Sequence, residues 1–318
     1  MRICITAFAG WGNSGDEGIL LAIMDTLGHD NQYIVCTNLP YTLASEYQRR
    51  LSQQNIDVEC QVRHIYDGAT DYDVFLLGGG GLSWGYGWRQ AIQAFAEQKP
   101  SMNYGVGYTQ LLFRPRLFRL YREFLTQFDA ITVRDKDSQV MAQQLGVDVT
   151  LTMCPSINLK EEKCECPRNM IAVCPRYEDY QGNEAQLEWL TTKLEDVGDE
   201  VVLVPFAPYN REGDPVDLAL CRELNRKLKH SRIFETDGFS PRKIKYLISR
   251  SKQVISGGRY HALVWAAAHN VPFEASPTAL PNYPKIRRFE QMQLKYGSEK
   301  LKEMEKQNQK IFWRLFDE

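Results

Sequence analysis

The sequence predicts an α/β protein built from two doubly wound, Rossmann-like domains that face each other across a cleft. Short runs of apolar and β-branched residues alternate with longer segments of helical periodicity, as in parallel βαβ units. This alternation breaks once, at TMCPSINLKEEKCECPR, and then begins again. The chain has 318 residues, which is enough for two domains of about 150 residues each.

The break sets the predicted domain boundaries. We expect an N-terminal domain over residues 1–152, a linker over 153–168 and a C-terminal domain over 169–285. In residues 286–318, apolar side chains recur at helical spacing among many charges, which predicts amphipathic helices. These helices either pack on the protein itself or make a peripheral membrane contact.

Each predicted domain contains five strands and four helices. In the first domain we expect strands at Ile3–Ala7, Tyr33–Thr37, Val74–Leu77, Asn103–Val106 and Ala130–Val133. Its helices are expected at Asp16–Leu27, Trp88–Gln98, Pro115–Gln127 and Lys136–Leu145. In the second domain we expect strands at Met170–Cys174, Val201–Pro205, Arg232–Phe234, Gln253–Ser256 and Val271–Phe273. Its helices are expected at Glu184–Val197, Pro215–Lys229, Pro241–Ser251 and Tyr260–His269.

Composition excludes several classes of protein. The formal net charge is −2 and no Lys/Arg block occurs, so a nucleic-acid partner is not expected. No apolar run reaches about 18 residues, so no transmembrane segment is expected. The start, MRICITAFAG, predicts a strand rather than a signal peptide. The eight cysteines form no disulfide framework, and Cys164 and Cys166 lack a second pair for zinc. The sequence therefore favours a cytoplasmic protein without a metal site.

The loop after the first predicted strand reads GWGNSGDEG. Its glycines, including Gly15, permit close backbone approach, and Asn13 can cap the helix that follows. Asp16 and Glu17 then fall in the first helical turn, where carboxylates favour the helix dipole. The same acids repel a phosphate, so the alternative is a loop that meets a hydroxylated ligand or supplies a base.

The second unusual loop reads LGGGGLSWGYGW. Four glycines, including Gly80, exceed the needs of a turn and indicate backbone that passes close to a ligand or a neighbouring domain. The aromatic residues Trp84, Tyr86 and Trp88 either form a wall for stacking a sugar or are buried in the protein.

Two further junctions combine a strand end with an arginine. In ITVRDKDS, Arg134 ends a strand and is placed to bind phosphate or carboxylate, unless Asp135 or Asp137 neutralises it. The segment ISGGRYHALVW, which contains Gly257 and Gly258, starts a helix.

Arg259 and His261 fall in the first turn of that helix. Amide N–H groups at a helix start attract anions, and a cation there opposes the helix dipole. Arg259 therefore suggests that an anion binds, with His261 as a group that titrates near neutral pH. Arg176, after the strand Met170–Cys174, is placed to add a second positive wall. The alternative for His261 is an ordinary core residue.

Taken together and in order, GWGNSGDEGIL, LLGGGG, YGVGYTQ, ITVRDKDS and SGGRYHALVWAAAHNVP resemble the polysaccharide pyruvyl transferase family over nearly the whole chain. The resemblance implies a two-domain fold of the glycosyltransferase B type. It also implies transfer of the enolpyruvyl group of phosphoenolpyruvate to two hydroxyls of a sugar, which forms a pyruvate ketal and releases phosphate, in polysaccharide or cell-wall glycan synthesis. Members need no nucleotide or metal cofactor, so phosphoenolpyruvate is expected as co-substrate and a glycan or lipid-linked sugar as acceptor.

The resemblance assigns roles to matching residues. Arg259 and His261 match an Arg-x-His element of donor binding and catalysis, and Arg134 matches a Val-Arg-Asp element that holds the donor. The Gly-Asp-Glu loop matches at Gly15, Asp16 and Glu17. The donor side is then the C-terminal domain, with Arg176, Gly257 and Gly258, and the acceptor side is the N-terminal domain. The residues expected to meet the acceptor are Asn13, Gly15, Gly80, Trp84 and Tyr86.

The chain departs from the family pattern at two places. It has Cys154-Pro155 where many members have Asp-Pro, and Asn282-Tyr283-Pro284-Lys285 where many have Tyr-Asp-Pro-Lys. Two other functions fit the same motifs: a nucleotide-sugar glycosyltransferase of the same fold, and a glycan-binding relative without catalytic activity.

Overall fold

The computed structural model describes residues 1–39, 41–62, 69–81, 87–108, 118–178, 180–278 and 283–316. Contacts divide the chain into two compact units. Unit 1 comprises Met1–Gly10, Ile19–Asn158 and Leu301–Glu318. Unit 2 comprises Trp11–Gly18 and Leu159–Lys300.

Unit 1 contains a parallel sheet of seven strands in the order β3-β2-β1-β4-β5-β6-β7. The strands are β1 (Arg2–Thr6), β2 (Gln32–Thr37), β3 (Asp57–Val62), β4 (Val74–Gly80), β5 (Ser101–Val106), β6 (Ala130–Val133) and β7 (Thr150–Leu151). The helices that connect them are α1 (Ser14–Leu27), α2 (Tyr41–Ser52), α3 (Trp88–Ala96), α4 (Phe118–Leu125) and α5 (Lys136–Gln144). A short 3₁₀ helix covers Pro155–Asn158.

Aromatic side chains form much of the unit 1 core on one side of its sheet. Trp88 stacks on Phe124 with ring centroids 4.2 Å apart, and Phe95 meets Phe128 edge-on at 5.0 Å. Phe128 in turn stacks on Phe75 of β4 at 6.5 Å. Because β4 is buried along its whole length, its sequence is a continuous apolar and glycine run, as expected for a central parallel strand.

Unit 2 contains a parallel sheet of five strands in the order β10-β9-β8-β11-β12. The strands are β8 (Ile171–Cys174), β9 (Val201–Leu203), β10 (Ser231–Ile233), β11 (Gln253–Ser256) and β12 (Phe273–Ala275). The helices are α6 (Tyr180–Leu194), α7 (Asp217–Lys227), α8 (Pro241–Ser249), α9 (Tyr260–Ala268) and α10 (Tyr283–Arg314). Helix α10 breaks at Gly297, whose φ is 69°.

The strand order of unit 2 reverses between β8 and β11. These strands are neighbours in the sheet, and their last residues pair as Ser256 with Cys174. The loops that follow them therefore emerge side by side. In open α/β sheets, ligands bind outside the carboxyl ends of the strands at such a reversal.

Helix α9 forms the centre of unit 2, and all nine of its residues are buried. Its Trp265 stacks on Phe206 with ring centroids 5.2 Å apart. A Cβ at Gly18 would lie 2.8 Å from the Trp265 ring, so the N-terminal part of α1 fits against α9 only without a side chain there. The position of α9 is thus fixed by close packing.

The structure departs from the predicted elements at several places. Helix α2 and strands β3 and β7 were not predicted, and β4 continues through Gly80 instead of ending at Leu77. Strand β3 is an edge strand in which buried Val58 and Cys60 alternate with exposed neighbours. A search for continuous apolar runs therefore misses it.

Two segments group differently from the predicted domain boundaries. The Gly-Asp-Glu loop, Trp11–Gly18, belongs to unit 2 although it follows β1 of unit 1. The C-terminal helix is shared, because unit 2 includes it as far as Lys300 and unit 1 includes it from Leu301. The apolar face of α10 packs on the protein: Phe289 meets Tyr260 at 5.5 Å in unit 2, and Phe312 is buried in unit 1. In the described ranges, no helix combines the length and apolar character needed to cross a bilayer.

We expect Leu263→Ala to lower the free energy of unfolding by about 2–5 kcal/mol, because the side chain is fully buried in α9 and its removal leaves a cavity. The matched control is Leu294→Ala in α10, where the side chain is 87% exposed and the change should stay within about 0.5 kcal/mol. Urea unfolding of both variants measures the difference. Equal losses would show that α9 is not the packed centre of unit 2.

Candidate active site at the β8–β11 junction

The predicted donor residues of the C-terminal half meet at the ends of β8 and β11. The amide of Gly257 donates to the carbonyl of Cys174 over 2.8 Å, which joins the two strand ends. Arg176 lies two residues beyond β8, and Arg259 lies three residues beyond β11. The structure therefore brings Arg176, Gly257, Gly258, Arg259 and His261 into one region of unit 2.

A short turn shapes the start of α9. The Ser256 hydroxyl accepts from the amide of Gly258 and donates to the carbonyl of Arg259, each over 3.1 Å. Gly258 has a φ of 120°, which favours glycine, and Arg259 is the N-cap residue without a side-chain cap. The helix start predicted from the sequence is thus observed.

Gln186 of α6 links the loops after β8 and β11. Its amide oxygen accepts from Arg176 N over 2.9 Å, and its nitrogen donates to Arg176 O and Gly257 O over 2.9 and 3.1 Å. A Cβ at Gly257 would overlap this amide oxygen. Gly257 is therefore needed for packing against Gln186, whatever else the loop binds.

Arg259 forms an ion pair with Asp217, which lies in the first turn of α7. The Asp217 side chain is fully buried, whereas Arg259 is 13% exposed. From the sequence, the cation at this helix start suggested a bound anion, but in the structure the protein's own carboxylate already compensates that charge. Binding of a donor by Arg259 stays a prediction.

Arg176 also has an acidic neighbour. Its Nη1 lies 3.1 Å from Oε1 of Glu178, and about a quarter of its side chain is exposed. Arg176 and Arg259 are thus both accompanied by carboxylates. An anion at this junction would therefore not meet an excess of positive charge. It would meet guanidinium groups that are already oriented by neighbouring carboxylates.

The Gly-Asp-Glu loop lies against α9, within unit 2. The amide of Ser14 donates to Phe206 O and its hydroxyl to Gly238 O, both over 2.8 Å. A Cβ at Gly15 would overlap Nδ1 of His261, so glycine at this position admits the imidazole ring. The loop was predicted to lie across the cleft from the donor site; its contacts with Phe206, Gly238 and His261 instead place it beside the donor residues.

The polar side chains of this loop bind one another and its backbone. Asn13 accepts from Gly15 N over 3.2 Å and donates to Asp16 over 2.7 Å. The carboxylate of Glu17, which is 3% exposed, accepts from Gly12 N over 3.2 Å. The capping role expected for Asn13 is present, and Asp16 is the more exposed of the two acids.

His261 occupies the first turn of α9 and is 9% exposed. Its ring lies 5.3 Å from that of Tyr260 and 6.4 Å from that of Trp265. Nζ of Lys285 lies 4.2 Å from the centroid of the Tyr260 ring, which adds a cation beside the same turn. The imidazole thus lies beside two aromatic rings at the start of α9.

The remaining predicted residues belong to unit 1 or lie outside the described ranges. The glycines in the last part of β4 face their own unit, since a Cβ at Gly78 would lie 2.9 Å from Ile5 and one at Gly79 3.0 Å from Ile19. Gly80 has a φ of 103°. Trp84 and Tyr86 lie outside the described residues, and Trp88 is partly buried and packs against the core of unit 1.

Arg134 is buried in unit 1 at the end of β6, with 2% of its side chain exposed. Its Nε lies 3.9 Å from Oδ2 of Asp135, whose other oxygen caps α5 by accepting from Ser138 N. A Cβ at Gly107 would lie 2.8 Å from Arg134 Nε, so this glycine makes room for the guanidinium. The neighbouring acid that the sequence offered as the alternative partner is Asp135.

Sequence reasoning missed Asp217 and Gln186. Asp217 falls in the first turn of a predicted helix, where an acid is explained by the helix dipole, and Gln186 carries no motif. Neither position gives a local signal, because each links loops that are far apart in the sequence: Arg259 lies 42 residues from Asp217, and Gly257 lies 71 residues from Gln186. Among the described residues, no cluster of three or more His, Cys, Asp or Glu side chains is arranged to hold a metal ion.

Comparisons with solved structures define the class of fold. A putative UDP-N-acetylglucosamine 2-epimerase from Listeria monocytogenes matches with a TM-score of 0.56 at 12% identity, covering 96% of this chain and 90% of that one. Anabaena HepE in complex with UDP-glucose matches with a TM-score of 0.52 at 14% identity, covering 99% and 95%. The protein has the Rossmann-like fold of the glycosyltransferase B class, which confirms the predicted fold class.

A family model then identifies the family. The model for polysaccharide pyruvyl transferase matches residues 13–273. The chain therefore belongs to the polysaccharide pyruvyl transferase family, as the ordered motifs predicted. A search of curated proteins gave no significant match.

We expect Gly15→Ala to destabilise the protein by about 1–3 kcal/mol, because the new methyl group overlaps the His261 ring and forces it to move. Urea unfolding measures the loss. Gly198→Ala is the matched control, since a Cβ there meets no atom within 4 Å. In a His261→Ala background, Gly15→Ala should cost little; an unchanged cost would contradict the proposed contact.

Proposed function

We propose that this protein transfers the enolpyruvyl group of phosphoenolpyruvate to two hydroxyls of a sugar, forming a pyruvate ketal and releasing phosphate. The observation that carries the proposal is the meeting of Arg176, Arg259 and His261 at the β8–β11 reversal of a chain that belongs to the pyruvyl transferase family. Phosphoenolpyruvate is then a co-substrate, and no nucleotide, metal or other cofactor takes part.

In this proposal the donor binds at the start of α9. Free amide N–H groups of a helix start attract anions, and Gly257 and Gly258 let a small anion approach the backbone. Arg259 and Arg176 hold the phosphate and carboxylate by directed N–H bonds. Arg134 of unit 1 is proposed as a further donor ligand on the strength of its Val-Arg-Asp motif.

His261 is the proposed general acid. It protonates the methylene carbon of the enol, so that positive charge develops at C2 and the first sugar hydroxyl adds there. The second hydroxyl then replaces phosphate at C2. One hydroxyl proton balances the proton added to the methylene carbon, and the other leaves with phosphate. A positioned acid typically contributes a factor of about 10²–10⁴, and fixed positive charge stabilises the departing phosphate.

Proton acceptors for the sugar hydroxyls come from the Gly-Asp-Glu loop. Asp16 is the better candidate, because Glu17 is almost fully buried and binds the amide of Gly12. Asn13, Gly15, Gly80, Trp84 and Tyr86 remain proposed acceptor contacts. The acceptor is a glycan or lipid-linked sugar, and we propose that the protein acts in the cytoplasm.

The structural neighbours include proteins described with UDP or UDP-sugars. At sequence identities of 11–14%, these similarities show a shared fold but do not indicate which ligand this protein binds. UDP therefore enters as a competitor to be tested.

The central experiment mixes the purified protein with phosphoenolpyruvate and a panel of glycosides and measures phosphate release. We expect release with at least one glycoside, and we expect His261→Ala to reduce the rate by about 10²–10⁴-fold because the acid is lost. The control is His230→Ala, at an exposed position between α7 and β10, which should retain the wild-type rate.

Two results would contradict the proposal. Unchanged phosphate release by His261→Ala would remove the histidine from the chemistry. A protein whose melting temperature rises with UDP but not with phosphoenolpyruvate would instead be a nucleotide-sugar enzyme.

A further inference from the structure

We infer that Asp217 is a positioning residue: it holds the Arg259 guanidinium in the orientation that binds the donor and joins three loops around the site. The inference rests on the proposed function and adds to it a residue that no motif contains. It comes from the contacts of one buried carboxylate at the start of α7.

Asp217 binds to three separate loops. Its Oδ1 accepts from Tyr177 N in the loop after β8, over 2.9 Å, and its Oδ2 accepts from Ala207 N in the loop after β9, also over 2.9 Å. Oδ1 also accepts from Nη2 of Arg259, beyond β11. One carboxylate therefore ties together the carboxyl ends of the three central strands of the unit 2 sheet.

The ion pair lies where little water can reach it. Asp217 is fully buried, and two thiols lie near it. Burial raises the pKa of Cys174 and of Cys221 well above the usual range, and the Asp217 carboxylate raises both further. Charge-assisted hydrogen bonds gain strength where water is excluded, and a buried charge that loses its partner is strongly unfavourable.

Asp217 orients Arg259 without consuming its binding capacity. An arginine has five N–H donors in a rigid fork, and the carboxylate engages Nη2. Within the described part of the chain, Nε of Arg259 is buried and has no hydrogen-bond partner. Because the two backbone amides fix the carboxylate, the guanidinium plane is set before a ligand arrives. Preorganised donors of this kind bind an anion with less ordering cost.

The test is a double-mutant cycle on phosphoenolpyruvate binding, measured by isothermal titration calorimetry, which needs no acceptor. The proteins are wild type, Asp217→Asn, Arg259→Gln and the double variant. Asparagine keeps the shape but presents one acceptor oxygen to three donors. We expect Asp217→Asn to weaken binding by about tenfold to a hundredfold, the range for a lost hydrogen bond to a charged group.

The cycle separates positioning from structural support. If Asp217 acts through Arg259, the double variant binds phosphoenolpyruvate no more than about twofold more weakly than Arg259→Gln alone. Urea unfolding of the same proteins should show that the double variant regains stability relative to either single variant, because neither charge is left unpaired. Relative to Arg259→Gln, the double variant is then more stable but binds phosphoenolpyruvate no better. A purely structural role of Asp217 would restore binding together with stability.

Two further variants complete the design. Asp214→Asn makes the same substitution three residues away, at an exposed carboxylate that binds Asn210, and should bind phosphoenolpyruvate like the wild type. Should Asp217→Asn fail to fold, Asp217→Glu keeps the charge and moves the carboxylate by one methylene. We expect Asp217→Glu to fold and to bind at least tenfold more weakly.

The outcomes are distinct. If the wild type binds phosphoenolpyruvate and Asp217→Asn, or Asp217→Glu in its place, binds equally well, the inference is overturned while the proposed function stands. The inference is also overturned if Asp217→Asn weakens binding by the same factor in the Arg259→Gln background as in the wild type. If the folded wild type does not bind phosphoenolpyruvate, the proposed function fails and the inference fails with it.

Discussion

The site depends on one electrostatic constraint: two charges that are unfavourable alone become stable as a buried pair. Arg259 carries a cation at the start of α9, where it opposes the helix dipole. Asp217 carries an anion in a fully buried position, where an uncompensated charge would be strongly unfavourable. The Asp217 carboxylate compensates the cation, and two backbone amides fix it in place. The ends of β8, β9 and β11 are consequently held together by the same contact.

This pairing changes how the site is expected to bind an anion. Arg259 and Arg176 each have a carboxylate neighbour, in Asp217 and Glu178, so the region is not simply a positive notch. Affinity for a small anion would come from the fixed orientation of the N–H donors beside the helix start. Sites of this kind favour ligands whose oxygen atoms match the donors in position. Excess charge alone would favour anions with little discrimination.

The sequence could predict features that depend on neighbouring residues. The strands β1, β2, β6 and β11, the start of α9 at Arg259 and the capping by Asn13 all follow from local patterns. Asp217 and Gln186 could not be predicted, because each links a nearby loop to one that lies far along the chain. The position of the Gly-Asp-Glu loop was predicted wrongly for a similar reason: the loop follows β1, yet its contacts are with Phe206, Gly238 and His261.

The contacts of this loop explain part of the Gly-Asp-Glu motif by packing and hydrogen bonding, apart from any role in catalysis. Gly15 is required because the His261 ring occupies the space of a side chain there, and Glu17 shapes the loop by accepting from Gly12 N. Ser14 anchors the loop to Phe206 and Gly238. Two of the three motif residues thus serve to place backbone beside the histidine. A loop fixed in this way packs closely against the imidazole, and such packing suits the general-acid role proposed for His261.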